Sequence, residues 1–237
     1  MEVGFTALSR WLASFVARQP VLRRSSSHHP HLEVVMVKGK KVLDGAMVNY
    51  SYGGLHLVFA EAFTRLDIGQ RGIRSVLLIG LGAGSVVHLL RRDFGVKAPI
   101  TAIEIDPVMV EVARQHFGLD RWRNLEVIVA DAAEWVTTST HRFDLVVIDA
   151  FYEARVPPAL RTSAFARSLR ERVAPGGWLL FNQVSNRPEA RAEAMDCAAL
   201  LQRVLGPTQL LPVRGNTILH WERPRAESVV ADPSERR

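Results

Sequence analysis

The sequence has few or none of the cysteines, long apolar runs and ligand motifs that would indicate particular classes of protein. Cys197 is the single cysteine among 237 residues, so an intrachain disulfide is excluded and a reducing, cytoplasmic setting is expected. No apolar run approaches the ~20 residues that span a bilayer, so we expect no membrane-spanning helix. Zinc-ligand spacings and RNA-binding signatures are missing too. The net charge of +6 comes from scattered basic residues and predicts a solvated surface, not a nucleic-acid interface.

The sequence does contain enough apolar residues for a large core. Hydrophobic residues make up 48% of the chain, which excludes global disorder. The length suits one large α/β domain with a small appendage and is too short for two full domains. Cys197 lies in an Ala- and Leu-rich helical pattern, so we interpret it as a buried structural thiol.

Residues 1–31 are predicted to form a helix and a linker. Apolar residues recur at helical spacing from Phe5 to Val16. Such a face can lie on a membrane, but it more commonly docks on the protein's own body or on a second subunit, and a homodimer is therefore expected. The segment Ser25–His31 is polar and contains three histidines without an accompanying Cys or carboxylate. We interpret it as a mobile loop, not as a metal site.

The rest of the chain divides into three predicted parts. Residues 32–64 are predicted to be a small β appendage, residues 65–222 a Rossmann-like nucleoside-binding domain, and residues 223–237 a flexible tail. From Ser75 onward, apolar strands alternate with helices, and such continuous apolar strands are typical of a parallel sheet covered on both faces. The predicted fold class is α/β, a doubly wound and mostly parallel sheet with a β appendage.

A glycine-rich loop follows the first strand of the predicted sheet. Gly80, Gly82 and Gly84 lie in the run Gly-Leu-Gly-Ala-Gly-Ser. Glycines at these positions allow a tight strand-to-helix turn and a close approach of the backbone to a ligand. The motif alone is weak evidence, because tight βα turns also use glycine for packing.

Carboxylates follow the next three strands. Glu104 lies 20 residues after Gly84, where a carboxylate can accept both hydrogen bonds of a ribose diol. Asp131 follows the third strand and suits an adenine amino group, and Asp149 follows the fourth. Each could instead cap a helix or hold a turn, but their joint spacing along one sheet edge favours a nucleoside site. Dinucleotide oxidoreductases also combine a glycine loop with a carboxylate after the next strand, although their glycine motif has Gly where this chain has Ser85.

These motifs resemble the spermidine synthase family, whose members share the class I S-adenosylmethionine-dependent methyltransferase fold. The resemblance covers roughly residues 34 to 221 and implies that fold, with a small N-terminal β hairpin. The runs that carry it are Val76–Ser85, Ala102–Pro107, Ala130–Ala132, Phe143–Ala150 and Leu43–Gly45.

The resemblance also implies a chemistry. In that family an amine attacks the aminopropyl carbon beside a sulfonium centre, and methylthioadenosine leaves. The implied donor substrate is S-adenosylmethionine or its decarboxylated form, the implied acceptor is a small-molecule amine or polyamine, and no metal is involved. Asp149 occupies the position of the catalytic carboxylate that binds the amine and helps to deprotonate it. The implied donor contacts are Gly80, Gly82, Ala83, Gly84, Glu104, Ile105, Asp131, Ala132 and Asp149, and the candidate acceptor contacts are Tyr52, Tyr152 and Glu153.

The sequence departs from the family in its polyamine-recognition residues. Ala83 stands where the family's glycine loop carries an Asp that contacts the donor amine. Tyr152 replaces the second Asp of the catalytic loop, and Val48, Gly53 and Gly54 stand where the family has a Gln and an Asp-Glu pair. Burial of a dicationic amine without counter-carboxylates is costly. The residues therefore support the nucleoside half of the site more strongly than the polyamine half.

Three functions stay open on the sequence. Aminopropyl transfer is favoured by the Leu43–Gly45 element and the Asp149 loop. Methyl transfer is favoured by Ala83, because an Asp there would select for a donor that lacks its carboxylate. Non-catalytic nucleoside binding would explain the missing polyamine residues, but the retained Glu104, Asp131 and Asp149 count against it. A dinucleotide dehydrogenase is a distant fourth.

Overall fold

A computed structural model describes residues 7–45, 54–152 and 155–225. The described chain begins with the helix α1 (Ala7–Ala13) and a three-stranded antiparallel sheet of β1 (Gln19–Arg24), β2 (Leu32–Val37) and β3 (Lys40–Asp44). The sequence predicts β2 and β3, whereas β1 falls within the segment predicted to be helix and linker. Its Pro and two Arg residues hide the strand pattern, because β1 is an edge strand with an irregular register.

Helix α1 docks on the turn between β2 and β3. The Ser14 carbonyl accepts from Lys38 N at 2.8 Å, and Ser14 Oγ accepts from Gly39 N at 2.8 Å. The Trp11 and Phe15 rings pack edge to face and lie against Gly39, which has a positive φ of 75°. Docking on the protein's own body thus uses part of the apolar face, and the apolar side chains of Leu8, Leu12 and Val16 are exposed. A homodimer stays a prediction.

The main body is a seven-stranded sheet with helices on both sides. The strands are β4 (Val76–Ile79), β5 (Ile100–Glu104), β6 (Leu125–Val129), β7 (Phe143–Ile148), β8 (Val173–Val184), β9 (Gln209–Val213) and β10 (Asn216–Glu222). They lie in the order β6-β5-β4-β7-β8-β10-β9, in which only the contacts of β10 with β8 and β9 are antiparallel. The predicted α/β class with a mostly parallel sheet is confirmed.

The helices follow from the sequence pattern with small shifts at their ends. α4, for example, begins after the cap Asp106 with Pro at its first position, and Asp106 accepts from Val108 N at 2.9 Å. The helices are α2 (Gly54–Arg65), α3 (Ser85–His88, continued by a π-helical turn Leu89–Asp93), α4 (Pro107–Phe117), α5 (Ala132–Thr138), α6 (Ser163–Arg172) and α7 (Pro188–Leu205).

Alternate residues of each central strand point into two separate cores. Leu78 and Val147 face the core built by α2, α3 and α4, whereas Leu77 and Val146 face the core built by α5, α6 and α7. Because both faces are covered, the strands are apolar throughout. Cys197 lies in the second core with 2% of its surface exposed, and burial raises the pKa of its thiol to about 11. It is the inert structural thiol that the sequence predicts.

β9 and β10 form an antiparallel hairpin at one edge of the main sheet. Arg214 and Gly215, both with positive φ, form the tight turn between β9 and β10. Trp178 is buried against His220, whose Nδ1 lies 3.3 Å from Gln209 Oε1. These contacts agree with structural roles for both side chains. Among the described helices, none combines the length and apolar character needed to cross a bilayer.

Candidate functional site

The site lies at the point in the sheet where the order of the strands along the chain reverses. From the central strand β4 the chain builds outward through β5 and β6 on one side, and through β7 and β8 on the other. Ligands of open α/β sheets bind in the crevice that this reversal leaves at the carboxyl ends of the strands. A cavity of about 350 Å³ occupies that place, here named the strand-end cavity. The predicted residues that line it are Gly80, Gly82, Glu104, Ile105, Asp131, Ala132, Asp149 and Tyr152.

Gly80 allows the glycine loop to touch the end of β7. Its φ is +88°, and a Cβ atom at this position would lie 2.4 Å from the Asp149 carbonyl oxygen and 2.8 Å from Ala150 Cα. A side chain would therefore force the loop away from Asp149. The two strand ends that border the cavity stay in contact because this residue is glycine.

Ala83 and Gly84, which the resemblance implies as donor contacts, are not among the residues that line the strand-end cavity. Their contact with a donor stays a prediction. Ala83 is 2% exposed and packs with residues of β2, β3 and α4, among them Leu43 and Met109. At Gly84, whose φ is +81°, a Cβ would lie 2.3 Å from Leu119 Cδ2. Both residues thus pack against neighbouring elements.

The Glu104 carboxylate accepts hydrogen bonds from the backbone of the glycine loop. Its Oε2 accepts from Leu81 N at 2.9 Å and from Gly82 N at 3.3 Å, while Oε1 accepts from Asp106 N at 3.1 Å. The side chain is 6% exposed. Each carboxylate oxygen can accept more than one hydrogen bond, so the group keeps acceptor capacity toward the cavity. The backbone contacts fix the orientation of the carboxylate in advance.

Asp131, Ala132 and Ile105 form the opposite rim of the cavity. Asp131 caps α5, and its Oδ1 accepts from Ala133 N at 2.7 Å. Ile105 is 41% exposed, which is unusual for so apolar a side chain directly after a buried strand. The rim thus combines an oriented carboxylate with an apolar surface. Asp131 thus caps α5 and also lines the cavity, and its contact with adenine stays a prediction.

Asp149 is held at the inner end of the cavity by a chain of two amides. Asn182 Nδ2 of β8 donates to Asp149 Oδ1 at 3.0 Å, and Asn216 Nδ2 of β10 donates to Asn182 Oδ1 at 2.8 Å. Burial raises the pKa of the Asp149 carboxyl to about 6, against the opposing effect of the Asn182 hydrogen bond. The group is therefore ionised at neutral pH and more basic than an exposed carboxylate.

The structure describes some of the residues that the sequence predicts to bind or shape an acceptor. Tyr152 is 51% exposed at the mouth of the cavity, and its backbone pairs with that of Arg155. Gly54 opens α2. The other residues predicted to bind or shape an acceptor, Tyr52, Glu153, Val48 and Gly53, lie outside the described residues.

Sequence reasoning missed a contact that fastens the histidine-rich segment to the cavity. His29 is 8% exposed, and its Nδ1 lies 2.7 Å from Asp106 Oδ2. Ser26 Oγ donates to the same oxygen, and His28 and His29 both line the cavity. Burial opposes ionisation of Asp106, but these hydrogen bonds, with that of Val108 N, hold the pKa of its carboxyl below the usual value.

This segment is therefore an anchored wall of the site and not the mobile loop predicted from its composition. Asp106 looks in the sequence like a plain helix cap, and Ser26 lies 80 positions before it. No local pattern connects two residues so far apart. Within the described ranges, no group of three or more His, Cys, Asp or Glu residues is arranged to hold a metal ion.

The chain is similar in sequence and in fold to known proteins. A sequence profile described as a methyltransferase domain matches residues 76–177. A crystal structure of spermidine synthase in complex with the transition state analogue AdoDATO superposes with a TM-score of 0.68, at 16% identity, over 86% of this chain and 74% of that one. The chain has the class I S-adenosylmethionine-dependent methyltransferase fold.

Two curated proteins are similar in sequence to this methyltransferase-fold chain. An "eEF1A lysine and N-terminal methyltransferase homolog" of Drosophila melanogaster is 28% identical over 70% of this chain and 26% of its own length. A "Probable polyamine aminopropyl transferase" of Bifidobacterium longum (strain NCC 2705) is 28% identical over 46% of this chain and 24% of its own length. The chain thus spans about a quarter of each of these relatives.

Proposed function

We propose that this protein is a transferase that binds S-adenosylmethionine or its decarboxylated form in the strand-end cavity and transfers the aminopropyl group of the decarboxylated donor to an amine. The observation that carries the proposal is the position of Asp149. Its carboxylate lies at the inner end of the cavity, is oriented by Asn182, and has a pKa raised by burial to about 6. A base of this kind suits the removal of a proton from an attacking amine at neutral pH.

The lining of the cavity fits a nucleoside. Glu104 offers oriented carboxylate oxygens to a ribose diol, and Asp131 offers one to an adenine amino group. Ile105 supplies an apolar surface for the base, and the bare backbone at Gly80 and Gly82 lets the remaining part of the donor approach the loop closely. A volume of about 350 Å³ falls in the range of small-molecule sites.

The proposed step is a single displacement. The amine nitrogen lone pair forms the new N–C bond, and the C–S bond breaks with its electron pair passing to sulfur, so the sulfonium becomes a neutral thioether. Asp149 accepts the proton that the nitrogen loses. Because the leaving group is already good, the enzyme contributes mainly alignment, which can lower a barrier by about 7–11 kcal/mol.

Aminopropyl transfer is supported by the extent of the structural likeness. The superposition with spermidine synthase extends over 86% of the chain and therefore beyond the seven-stranded sheet domain. The B. longum relative is also named as an aminopropyl transferase.

Methyl transfer to an amine of a small molecule or a protein is the second candidate, and Ala83 favours it. With Ala at this position, the glycine loop carries no carboxylate that would select a donor lacking its own carboxyl group. The Drosophila relative, which is named as a methyltransferase, supports the same candidate.

Titration calorimetry with S-adenosylmethionine, its decarboxylated form, methylthioadenosine and NAD tests the donor. We expect the sulfonium nucleosides to bind and NAD not to bind. Mass spectrometry of reactions with amine acceptors then separates the candidates, since aminopropyl and methyl products differ in mass. Tight NAD binding without a response to the sulfonium nucleosides would overturn the proposal. Nucleoside binding without any product would favour a non-catalytic binding protein.

A further inference from the structure

A second cavity, here named the basic cavity, has about 550 Å³ and lies where β3, α2, α3 and the end of α4 meet. Its described lining shares no residue with the strand-end cavity. Four cationic side chains line it, Lys40 and Lys41 from β3, Arg92 from the π-helical turn and Arg121 from the turn after α4. Asp93 is the single carboxylate among its described lining residues. Positive charge thus outweighs negative charge around one concave surface.

The contacts of Arg92 and Arg121 do not neutralise the charge of these two side chains. The Arg92 guanidinium lies 5.9 Å from the centre of the Trp122 ring, and Arg121 Nε donates to the Gly118 carbonyl at 2.7 Å. Neither contact brings a carboxylate to the cation. Like charges gathered on one surface repel one another, so the arrangement is costly unless an anion occupies the space between them.

The histidines of the basic cavity respond to the same positive field. His88 is 3% exposed, with Nε2 3.0 Å from the Phe117 carbonyl and Nδ1 accepting from Trp122 Nε1 at 3.2 Å, so both nitrogens suit the neutral ring. Burial lowers the pKa of His88 to about 4, with help from Arg92 and Arg121.

His116, at the end of α4, is the second histidine of this wall. Burial lowers the pKa of His116, and Lys41 and Arg24 lower it further. Its buried Nδ1 has no hydrogen-bond partner within the described part of the chain. An anion in the cavity would supply an acceptor for a protonated imidazole and would offset the field that keeps the ring neutral.

We propose that the basic cavity binds a small ligand that carries two or more phosphate groups. Lysine and arginine side chains are the usual phosphate ligands of proteins, and here they converge from three elements on one concavity. The volume of about 550 Å³ exceeds what one phosphate group fills and falls in the range of small-molecule sites. A nucleic-acid surface would instead present its cations along a stripe or groove.

The binding test uses the full chain and no sulfonium nucleoside, so its result is independent of the proposed transferase activity. Calorimetric titration with inorganic tripolyphosphate at constant ionic strength should show saturable binding at one site per chain. Orthophosphate should bind more weakly. Lys41→Gln and Arg92→Gln, both changes of solvent-accessible side chains, should each weaken tripolyphosphate binding by about tenfold. Arg167→Gln, an exposed change on α6 far from this lining, is the matched control and should bind as the parent does.

Three results would overturn the proposal. The first is an absence of saturable tripolyphosphate binding, and the second is equal affinity in the Lys41→Gln, Arg92→Gln and Arg167→Gln proteins. The third is tight binding of a single-stranded RNA oligonucleotide that tripolyphosphate does not displace, which would identify the surface as a nucleic-acid site. Displacement of the oligonucleotide by tripolyphosphate at the affinity measured directly would support the small-ligand site.

Discussion

The two cavities lie at opposite ends of α4 and differ in how their charges are held. Met109, near the start of the helix, lines the strand-end cavity, and the cap Asp106 holds His29, which lines it too. His116 and Phe117, at the end of the helix, line the basic cavity. This polarity agrees with the helix dipole, which favours carboxylates at the first turn and cations at the last. The net charge of +6 therefore does not predict the charge of either cavity, since carboxylates line one and cations line the other.

The difference also concerns rigidity. Glu104, Asp131 and Asp149 each accept hydrogen bonds from backbone or side-chain donors before any ligand arrives. Arg92 and Arg121, in contrast, lie at the surface on long side chains. Oriented carboxylates can discriminate one ligand geometry from another, whereas long cationic side chains adapt to charge with less regard for shape. We therefore expect the strand-end cavity to be sensitive to small changes and the basic cavity to tolerate them.

The largest effect is expected from Asp149→Asn. Loss of the proton acceptor should lower turnover by about 10²–10⁴-fold, with little change in donor affinity. Single-turnover kinetics and calorimetry measure the two quantities separately. Asp196→Asn, an exposed change on α7, is the matched control. Full activity in the Asp149→Asn protein would remove Asp149 from the reaction, and an altered tripolyphosphate affinity would contradict the independence of the two cavities.

The next effect concerns Glu104→Ala. Two charge-assisted hydrogen bonds to the ribose, at about 1.5–3 kcal/mol each, are lost, so the dissociation constant of the donor should rise at least about 100-fold. Glu126→Ala changes an exposed carboxylate on the neighbouring strand β6 and should leave the constant unaltered. An unchanged affinity in the Glu104→Ala protein would show that the ribose is bound elsewhere.

A smaller effect is expected on folding, and two glycines with positive φ allow a matched test. Gly80→Ala places a Cβ 2.4 Å from the Asp149 carbonyl oxygen, whereas Gly72→Ala meets nothing within 4 Å. Both variants incur the cost of the left-handed backbone, but Gly80→Ala adds a clash with backbone. Urea denaturation should show a loss of about 2–4 kcal/mol for Gly80→Ala and about 1 kcal/mol for Gly72→Ala. Equal losses would mean that the loop can move away from β7.

The smallest effect is a dependence of stability on pH at Asp149. Burial raises the pKa of its carboxyl from 3.8 to about 6, so between these values the folded protein keeps a proton that the unfolded chain has lost. The contribution of this carboxyl to the free energy of unfolding is therefore greatest below the lower pKa, and it is lost as the pH rises through about 6.

The Asp149→Asn substitution removes the carboxyl and with it this pH-dependent loss of stability. We expect it to stabilise the protein by about 1–2 kcal/mol at a pH of about 7.5 and by much less at a pH of about 4.5. Urea denaturation at both pH values measures the difference. Equal stabilisation at both values would indicate that the carboxyl is not held in a desolvated position.

The sequence predicts the fold well, because the main sheet is built from local patterns. Apolar runs, the glycine loop and the cap at Asp106 each mark an element within a few residues, and the spacing of Glu104, Asp131 and Asp149 brings them to one edge. The sequence does not reveal contacts between distant segments. The anchoring of Ser26 and the packing of Ala83 depend on how the N-terminal sheet packs on α4. The basic cavity likewise combines residues of four elements that no single window of sequence contains.

The amide chain from Asn216 through Asn182 to Asp149 also sets an order of events during synthesis. The glycine loop, Glu104 and Asp131 leave the ribosome long before β10, the strand that carries Asn216. The support of Asp149 is thus complete only after the last strand of the described chain has joined the sheet.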